Sequence, residues 1–427
     1  MAKLTKAYID RIQPPDRDYK IHWDDTVKGY GVRVMPTGKR VFIAQGRVRG
    51  RAVIFTIGNY GTYTEDKARA QAQKVLQGMR EGVDPRDARR EEDAAKVTLR
   101  EVADAYFARP GKLKPSTQGE MDRHVSRVFA KWEHRPIASI TEDEVRKRHR
   151  ELAKGGLNGD RPAPGSANIS MVTLRTLINF AMRQYRRADG SPVIVRNPVD
   201  VLRDHWAPMG NRTKRYIEKG KVGDVWNALA DARAATPNPD AWSGIDLVRF
   251  LLLTGARRME GASLTWDRVN LDDHDPTQCW FHLPDPKNGH EVYLPLSSQA
   301  VALLRSRPRV EGNPYVFTSW SKTGHIMDAR GPLETISSIA GIKLSSHDLR
   351  RTFTNIALRE CRIEKFRTDM LTNHKPRADD VTANNYLDLT RLDWLQPEAQ
   401  RVGDWIDVQA KVATAKAAGA NVVPIRA

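Results

Sequence analysis

Residues 345–388 read SSHDLRRTFTNIALRECRIEKFRTDMLTNHKPRADDVTANNYLD, and this stretch decides how the rest of the chain is read. His347 and Arg350 stand three residues apart, which on a helix places an imidazole and a guanidinium on one face. His374 and Tyr386 follow, and no other tyrosine lies beyond His347. Two histidines, an arginine and a lone tyrosine suit a site that grips a phosphodiester and presents a phenol as nucleophile.

The remaining pieces lie upstream. An apolar run, Leu251-Leu252-Leu253, meets Thr254-Gly255-Ala256-Arg257-Arg258-Met259-Glu260, so a buried helix breaks at Thr-Gly and carries charge to the rim of a core. A guanidinium there needs partners, and Glu260 is placed to hold Arg257. Further on, 280–283 and 291–296 read as two strands joined through Asp285-Pro286-Lys287-Asn288-Gly289-His290, with Asn288-Gly289 as the hairpin turn. Lys287 sits at its shoulder, where a lysine is either solvated or able to swing into a neighbouring cleft.

Bulk composition agrees with a polyanionic partner. Across 427 residues, 70 Lys and Arg face 52 Asp and Glu, a net charge of +18, and each phosphate neutralised by such groups releases counterions. The length suggests two to three domains. No apolar run is long enough for a bilayer, the start MAKLTKAYID has no signal-peptide core, and no membrane partner is expected. Cys279 and Cys361 are far apart and form neither a disulfide framework nor a zinc pattern.

The first 60 residues hold 12 Lys or Arg against 5 Asp or Glu. Three short strands are predicted at 31–35, 40–45 and 52–57, followed by a helix from Glu65 to Glu81 capped by Thr64 and stopped by Gly82. Arg33, Lys39, Arg40, Arg47, Arg49 and Arg51 on those strands and turns make a basic sheet that either lies against DNA or is a solvated face. Residues 84–96 read as a linker or exposed helical connector. Thr98-x-x-Glu101, Thr117-x-x-Glu120 and Thr141-x-x-Glu144 fit the capping box. Met121, Val125, Val128, Phe129 and Trp132 read as core, as do Val172, Leu174, Leu177, Ile178 and Met182. Prolines and a glycine between Asn197 and Lys214 mark a boundary, after which helices are predicted at 222–232 and 245–253.

Taken in order, Arg, Lys, His-x-x-Arg, His and Tyr resemble the tyrosine recombinase family, the phage-type integrases, through LLLTGARRMEGASLTW, the hairpin lysine, HDLRRTF, NH and the tyrosine. The segment DDTVKGYGVRVMPTGKR with its strand and helix pattern is similar to the N-terminal arm-type DNA-binding domain of prophage and genomic-island integrases. The resemblance implies a multidomain α+β chain: an arm-type domain at 1–83 with a small three-stranded sheet and a helix, a linker at 84–96, an all-α core-binding domain at 97–210, a mainly α catalytic domain with a small β-hairpin at 211–395, and a tail at 396–427. It implies Arg257 and Arg350 as a phosphate clamp, Lys287 as the hairpin lysine, His347 and His374 as supporting histidines, and Tyr386 as nucleophile. Asn373, where a glycine is commoner, and a long segment from His374 to Tyr386 depart from the family pattern.

A phenol with a pKa near ~10 must lose its proton as it attacks. His347 is the candidate acceptor, and Lys287 the donor to the leaving 5′ oxygen. The paired arginines meet the transition-state charge, so neither metal nor other cofactor is expected. The products are a 3′-phosphotyrosyl link and a free 5′ hydroxyl. The implied partners are double-stranded DNA with core-type and arm-type attachment sites, three further copies of the chain in a homotetramer, and an excisionase or DNA-bending host factor, in the cytoplasm on the nucleoid. Leu392, Trp394, Leu395, Val402, Trp405 and Ile406 pack either in cis or on a neighbour, and Ala410 to Ala427 is expected to fray. The rival readings are an integrase remnant that holds DNA without cutting it and a type IB topoisomerase-like strand transferase.

Overall fold

The computed structural model describes residues 3–111, 113–187, 190–210, 215–286, 289–376, 379–380, 385 and 387–420. The chain divides into two units, Met1–Gly210 and Asn211–Ala427.

The first unit holds two hydrophobic cores. After a short helix α1 (Lys6–Arg11), four strands pair antiparallel in chain order: β1 (Lys20–Trp23), β2 (Tyr30–Val34), β3 (Arg40–Val48) and β4 (Arg51–Asn59). The sheet thus has one strand more than the three expected. β1 escapes a pattern search because it is four residues long and lies at the edge, where pairing with β2 alone defines it. Helix α2 (Glu65–Arg80) starts at Thr64, whose hydroxyl accepts the Lys67 N–H. It packs Ala68, Ala72, Leu76 and Met79 onto the face that carries Val32, Val34, Phe42 and Ala44. Residues 85–96 form a helix, α3 (Pro85–Lys96), with Asp84 as its cap.

The second core belongs to α4 (Leu99–Phe107), α5 (Pro115–Arg123), α6 (Glu142–Gly155) and α7 (Pro164–Gln184). Reciprocal capping boxes form at Thr98/Glu101 and Thr141/Glu144. The one expected at Thr117 does not, because Pro115 occupies the first turn and Thr117 already lies inside α5. In α7, Met171, Leu174, Leu177, Ile178 and Ala181 share the buried face. Val172, expected inward, is one helical step off that stripe and is exposed.

The second unit is built on α9 (Pro239–Thr254), whose Leu247, Val248, Phe250, Leu251, Leu252 and Leu253 are all buried. Around it stand α8 (Lys219–Ala235), α10 (Arg258–Ala262), α11 (Ser298–Arg305), α12 (Arg330–Ala340), α13 (Ser346–Asn355), α14 (Lys365–Leu371) and α15 (Gln396–Ala417). A small antiparallel sheet of β5 (Val269–Asn270), β6 (Trp280–Leu283) and β7 (Val292–Pro295) flanks them. A buried ion cluster fixes α9: Asp246 accepts from Arg233 of α8 at 2.9 Å and from Arg307 at 3.1 Å, and Arg307 also donates to Ser243 Oγ at 2.6 Å. Removing one member of such a cluster strands the others without water, so it locks the helix that ends at the site.

The segment after residue 387 packs on its own unit. Leu392, Leu395, Val402 and Ile406 are buried in the same core as α9, and α15 runs unbroken to Ala417, so of the stretch 410–427 expected to fray the first part is helical, while residues 421–427 lie outside the described residues. The reason is a close helix crossing: a Cβ on Gly223 of α8 would lie 2.1 Å from the carbonyl oxygen of Gln409. Gly223→Ala therefore forces α15 outward, and urea unfolding of the full chain should show it destabilised by about 1–3 kcal/mol, the usual range for overpacking. A variant as stable as the wild type would mean that α15 does not hold this position.

Candidate functional site

The charged site grows out of two helix ends and one helix start. Helix α9 stops at Gly255, whose φ of +62° is open to glycine and whose Cβ, were there one, would stand 2.6 Å from Phe353 Cδ1. The chain then turns into α10 with Arg257 at its cap. Glu260 accepts the Arg257 backbone N–H at 2.8 Å and its Nη1 at 2.7 Å, as the spacing predicted. Helix α13 begins at Ser345, where Asp348 accepts the Ser345 N–H at 2.9 Å and its hydroxyl at 2.6 Å. That start aims His347 and Arg350 toward the end of α9. The pattern Ser345-x-x-Asp348 is a capping signal that the sequence reading passed over.

Arg350 is 4% exposed. Its Nη1 donates to the Gly255 carbonyl at 2.9 Å and its Nη2 to the Thr372 carbonyl. Arg257 Nη2 donates to the next carbonyl, Asn373, at 3.2 Å. Burial, and then the charge of Arg257, pull the Arg350 guanidinium down to about 10, so it remains cationic at neutral pH. Among the described residues no carboxylate forms an ion pair with Arg350; Glu260 and Asp369 act on it only at longer range. His374 follows at once, its Nδ1 3.1 Å from Thr372 Oγ1 and 3.5 Å from Asp369 Oδ1.

Arg257, His347 and Arg350 line one cleft of about 830 Å³, with Arg258, Arg330, Lys343 and Ser346 on its walls. A second, of about 540 Å³, runs from Arg257 and Glu260 to His282, Asp285 and Pro286. A third, of about 230 Å³, sets Asn373 and His374 opposite His290, Glu291, Leu387 and Leu389. Arg257, His347, Arg350 and His374 thus converge with Glu260 from segments that are distant in sequence. Lys287 and Tyr386 lie outside the described residues, as does Asn288 of the expected turn.

The six basic residues named on the N-terminal sheet do not form one patch. Arg33 points away from α2, with its guanidinium 5.3 Å from the Tyr19 ring. Arg47 shares that outer face, and Arg49 and Arg51 flank or form the β3–β4 turn, where Arg49 and Gly50 have φ of +44° and +82°. Lys39 is exposed at the opposite end of β3, roughly 26 Å from Arg47 at strand rise. Arg40 lies on the face toward α2 and donates to the Ile12 carbonyl at 3.1 Å. Strand alternation explains the split, because neighbouring positions on one strand face opposite sides.

Partial desolvation and then the arginine charges (Arg351 and Arg350 for His347, Arg350 for His374) hold both imidazoles below 6.5, while Asp369 opposes the shift at His374. Both are therefore neutral at pH 7. The unfolded chain binds more protons than the folded one, so their contribution to stability is lost as pH falls through about 6.5. In a proton NMR titration both imidazoles should titrate below 6.5. Asp369→Asn should lower the His374 midpoint further and Arg350→Ala raise it; shifts of opposite sign would contradict this geometry.

Arginines gathered on backbone carbonyls in an open cleft, beside two neutral histidines, make a cationic arrangement with the donors that a phosphodiester requires. Residues 223–389 match the phage integrase family, and residues 4–92 match the Arm DNA-binding domain. The chain is 23% identical over 447 residues to the prophage integrase IntF of Escherichia coli (strain K12), covering 95% of this chain and 90% of that protein. It is 25% identical to the prophage integrase IntZ of the same organism, covering 82% and 83%. Among solved structures it is similar to a lambda integrase tetramer bound to a Holliday junction, with a TM-score of 0.47 and 18% identity over 86% of this chain and 98% of that one. The chain thus carries an Arm DNA-binding domain followed by a phage integrase domain: it is a DNA-binding site-specific recombinase. Among the described residues no helix is long and apolar enough to cross a membrane.

Proposed function

We propose that this recombinase integrates and excises a mobile element, a prophage or genomic island, by cutting and rejoining DNA through a 3′-phosphotyrosyl intermediate. The observation that carries the reading is the pair of guanidiniums, Arg257 and Arg350, set on adjacent carbonyls of residues 372 and 373 in a cleft shared with His347, with His374 next in the chain after those carbonyls. A phosphate bridging them receives paired, permanently charged donors, which strengthen as negative charge builds on its non-bridging oxygens. Tyr386 attacks the phosphorus. His347, neutral at pH 7, takes the phenol proton, and His374 adds a hydrogen bond to the phosphoryl group. Lys287 protonates the departing 5′ oxygen; that Pro286 lines the cleft of Arg257 supports a short reach. The phosphodiester energy stays in the tyrosyl link, so a 5′ hydroxyl from a second duplex reverses the step without ATP.

The other parts follow from the same reading. Residues 1–83 hold arm-type sites, 84–96 link, 97–210 grip the core site and 211–395 catalyse, with 396–427 completing that unit. Four protomers bring two duplexes together, an excisionase or DNA-bending factor sets direction, and the work is done on the nucleoid in the cytoplasm. In the arm-type domain Arg33, Arg47, Arg49, Arg51 and Lys39 are available to phosphates, whereas Arg40 serves the fold.

A nicked core-site substrate, which loses its 5′ fragment on cleavage, tests this in a denaturing gel. The wild type should accumulate a covalent adduct in the presence of EDTA, and Tyr386→Phe none. Arg350→Ala should slow adduct formation about 100- to 1,000-fold. Lys287→Ala should slow it about 100- to 10,000-fold and recover on a substrate with a bridging sulfur at the 5′ position, whose thiolate leaves without a proton. An adduct with Tyr386→Phe, or activity abolished by EDTA, would refute the mechanism.

A further inference from the structure

Both helices that surround Arg350 end on a left-handed residue. Gly255 closes α9 with its N–H bonded to the Leu251 carbonyl at 3.0 Å, and Asn373 closes α14 with a φ of +49°. At Asn373 the closure is a pair of crossed bonds: Asn373 N–H to the Met370 carbonyl and His374 N–H to the Asp369 carbonyl, both at 2.8 Å. This is the Schellman arrangement, with Asn373 at the position that must be left-handed. Three groups leave that turn in fixed directions. The Thr372 carbonyl meets Arg350, the Asn373 carbonyl meets Arg257, and His374 is drawn back to Thr372 Oγ1.

We infer that Asn373 is a positioning residue for strand cleavage: its left-handed backbone, rather than the chemistry of its amide, sets the carbonyl pair that orients both guanidiniums and the imidazole. The inference rests on reading Arg257 and Arg350 as the phosphate clamp. Asparagine is the side-chain-bearing residue that enters this region most readily, and glycine enters it freely, whereas a Cβ crowds the following carbonyl and a branched Cβ does so most. A residue that resists the left-handed region opens the turn, and all three groups lose their register together. Asn373 is buried, so the turn has little room to readjust. The Gly255 end cannot compensate, because it serves Arg350 alone.

The test compares Asn373→Gly, Asn373→Ala and Asn373→Val in the full chain by two readouts. The first is a sulfate titration followed through the Nε–H signals of Arg257 and Arg350 in arginine-labelled protein, assigned with Arg257→Lys and Arg350→Lys. The second is adduct formation on the nicked core site, with core-site affinity measured alongside. Asn373→Gly should match the wild type within about threefold in both. Asn373→Ala should lose about tenfold and Asn373→Val at least 30-fold, with core-site affinity unchanged within threefold. Should the valine variant fail to fold, the alanine variant carries the comparison.

Wild-type behaviour in both alanine and valine variants overturns the inference, and so does a glycine variant as impaired as the valine one, which would assign the effect to the amide. Arginine signals that ignore sulfate in the wild type also overturn it. If they respond but the wild type forms no adduct, the tyrosine chemistry fails by itself and the sulfate series still decides the role of Asn373.

Discussion

A buried guanidinium held by backbone carbonyls is the constraint from which the catalytic unit follows. Arg350 is almost wholly removed from water, which costs far more than any one hydrogen bond returns. A carboxylate partner would relieve that cost and also cancel the charge. Here the acceptors are the carbonyls of Gly255 and Thr372, which satisfy the N–H groups and leave the positive charge standing. Glu260 is spent on Arg257, and Asp369 lies beside His374. Arg350 is thus held by neutral acceptors and keeps its positive charge.

That arrangement demands three chain segments in register, and the rest of the unit supplies it. α9 is buried from Ser243 to Thr254 except at the half-buried Arg249, and is pinned by Asp246 to Arg233 and Arg307, so the Gly255 carbonyl has a fixed origin. α13 is set by the Ser345 and Asp348 cap, and Phe353 closes on Gly255 one turn after Arg350. α14 contributes the turn at Asn373. Beyond the cleft, the backbone of β7 receives residues 390–392: Tyr293 N–H bonds to the Thr390 carbonyl at 2.7 Å and Leu392 N–H to the Tyr293 carbonyl at 3.0 Å. Residues 390–392 are thereby anchored to β7 before α15 enters the core.

Sequence reveals this design where the cause is local. The three-residue spacing of His347 and Arg350 and of Arg257 and Glu260 is read directly, because helical periodicity alone brings them together, and the caps at Thr64, Thr98 and Thr141 are four-residue events. Thr117 misleads because Pro115 begins the helix two residues sooner. The partners of Arg350 are illegible for a different reason: a carbonyl is present at every position, and nothing in the letters 255 or 372 says which one faces a guanidinium. Strand β1 and the placement of Arg40 are hidden likewise, since each depends on a neighbour brought by the fold. The apolar residues of the last segment are plain in sequence, yet the surface they cover in the chain's own core is a matter of tertiary contact.

The claim that Tyr386 attacks a phosphate clamped by Arg257 and Arg350 is tested most directly by locating the covalent bond. Trypsin digestion of the trapped adduct releases residues 378–391, a peptide with one tyrosine, and fragmentation by mass spectrometry assigns the attached nucleotide. The account predicts a 3′-linked nucleotide on Tyr386, nearly absent when Arg350→Ala is trapped in parallel. A nucleotide on any other residue, a 5′ linkage, or an undiminished yield from Arg350→Ala would contradict it.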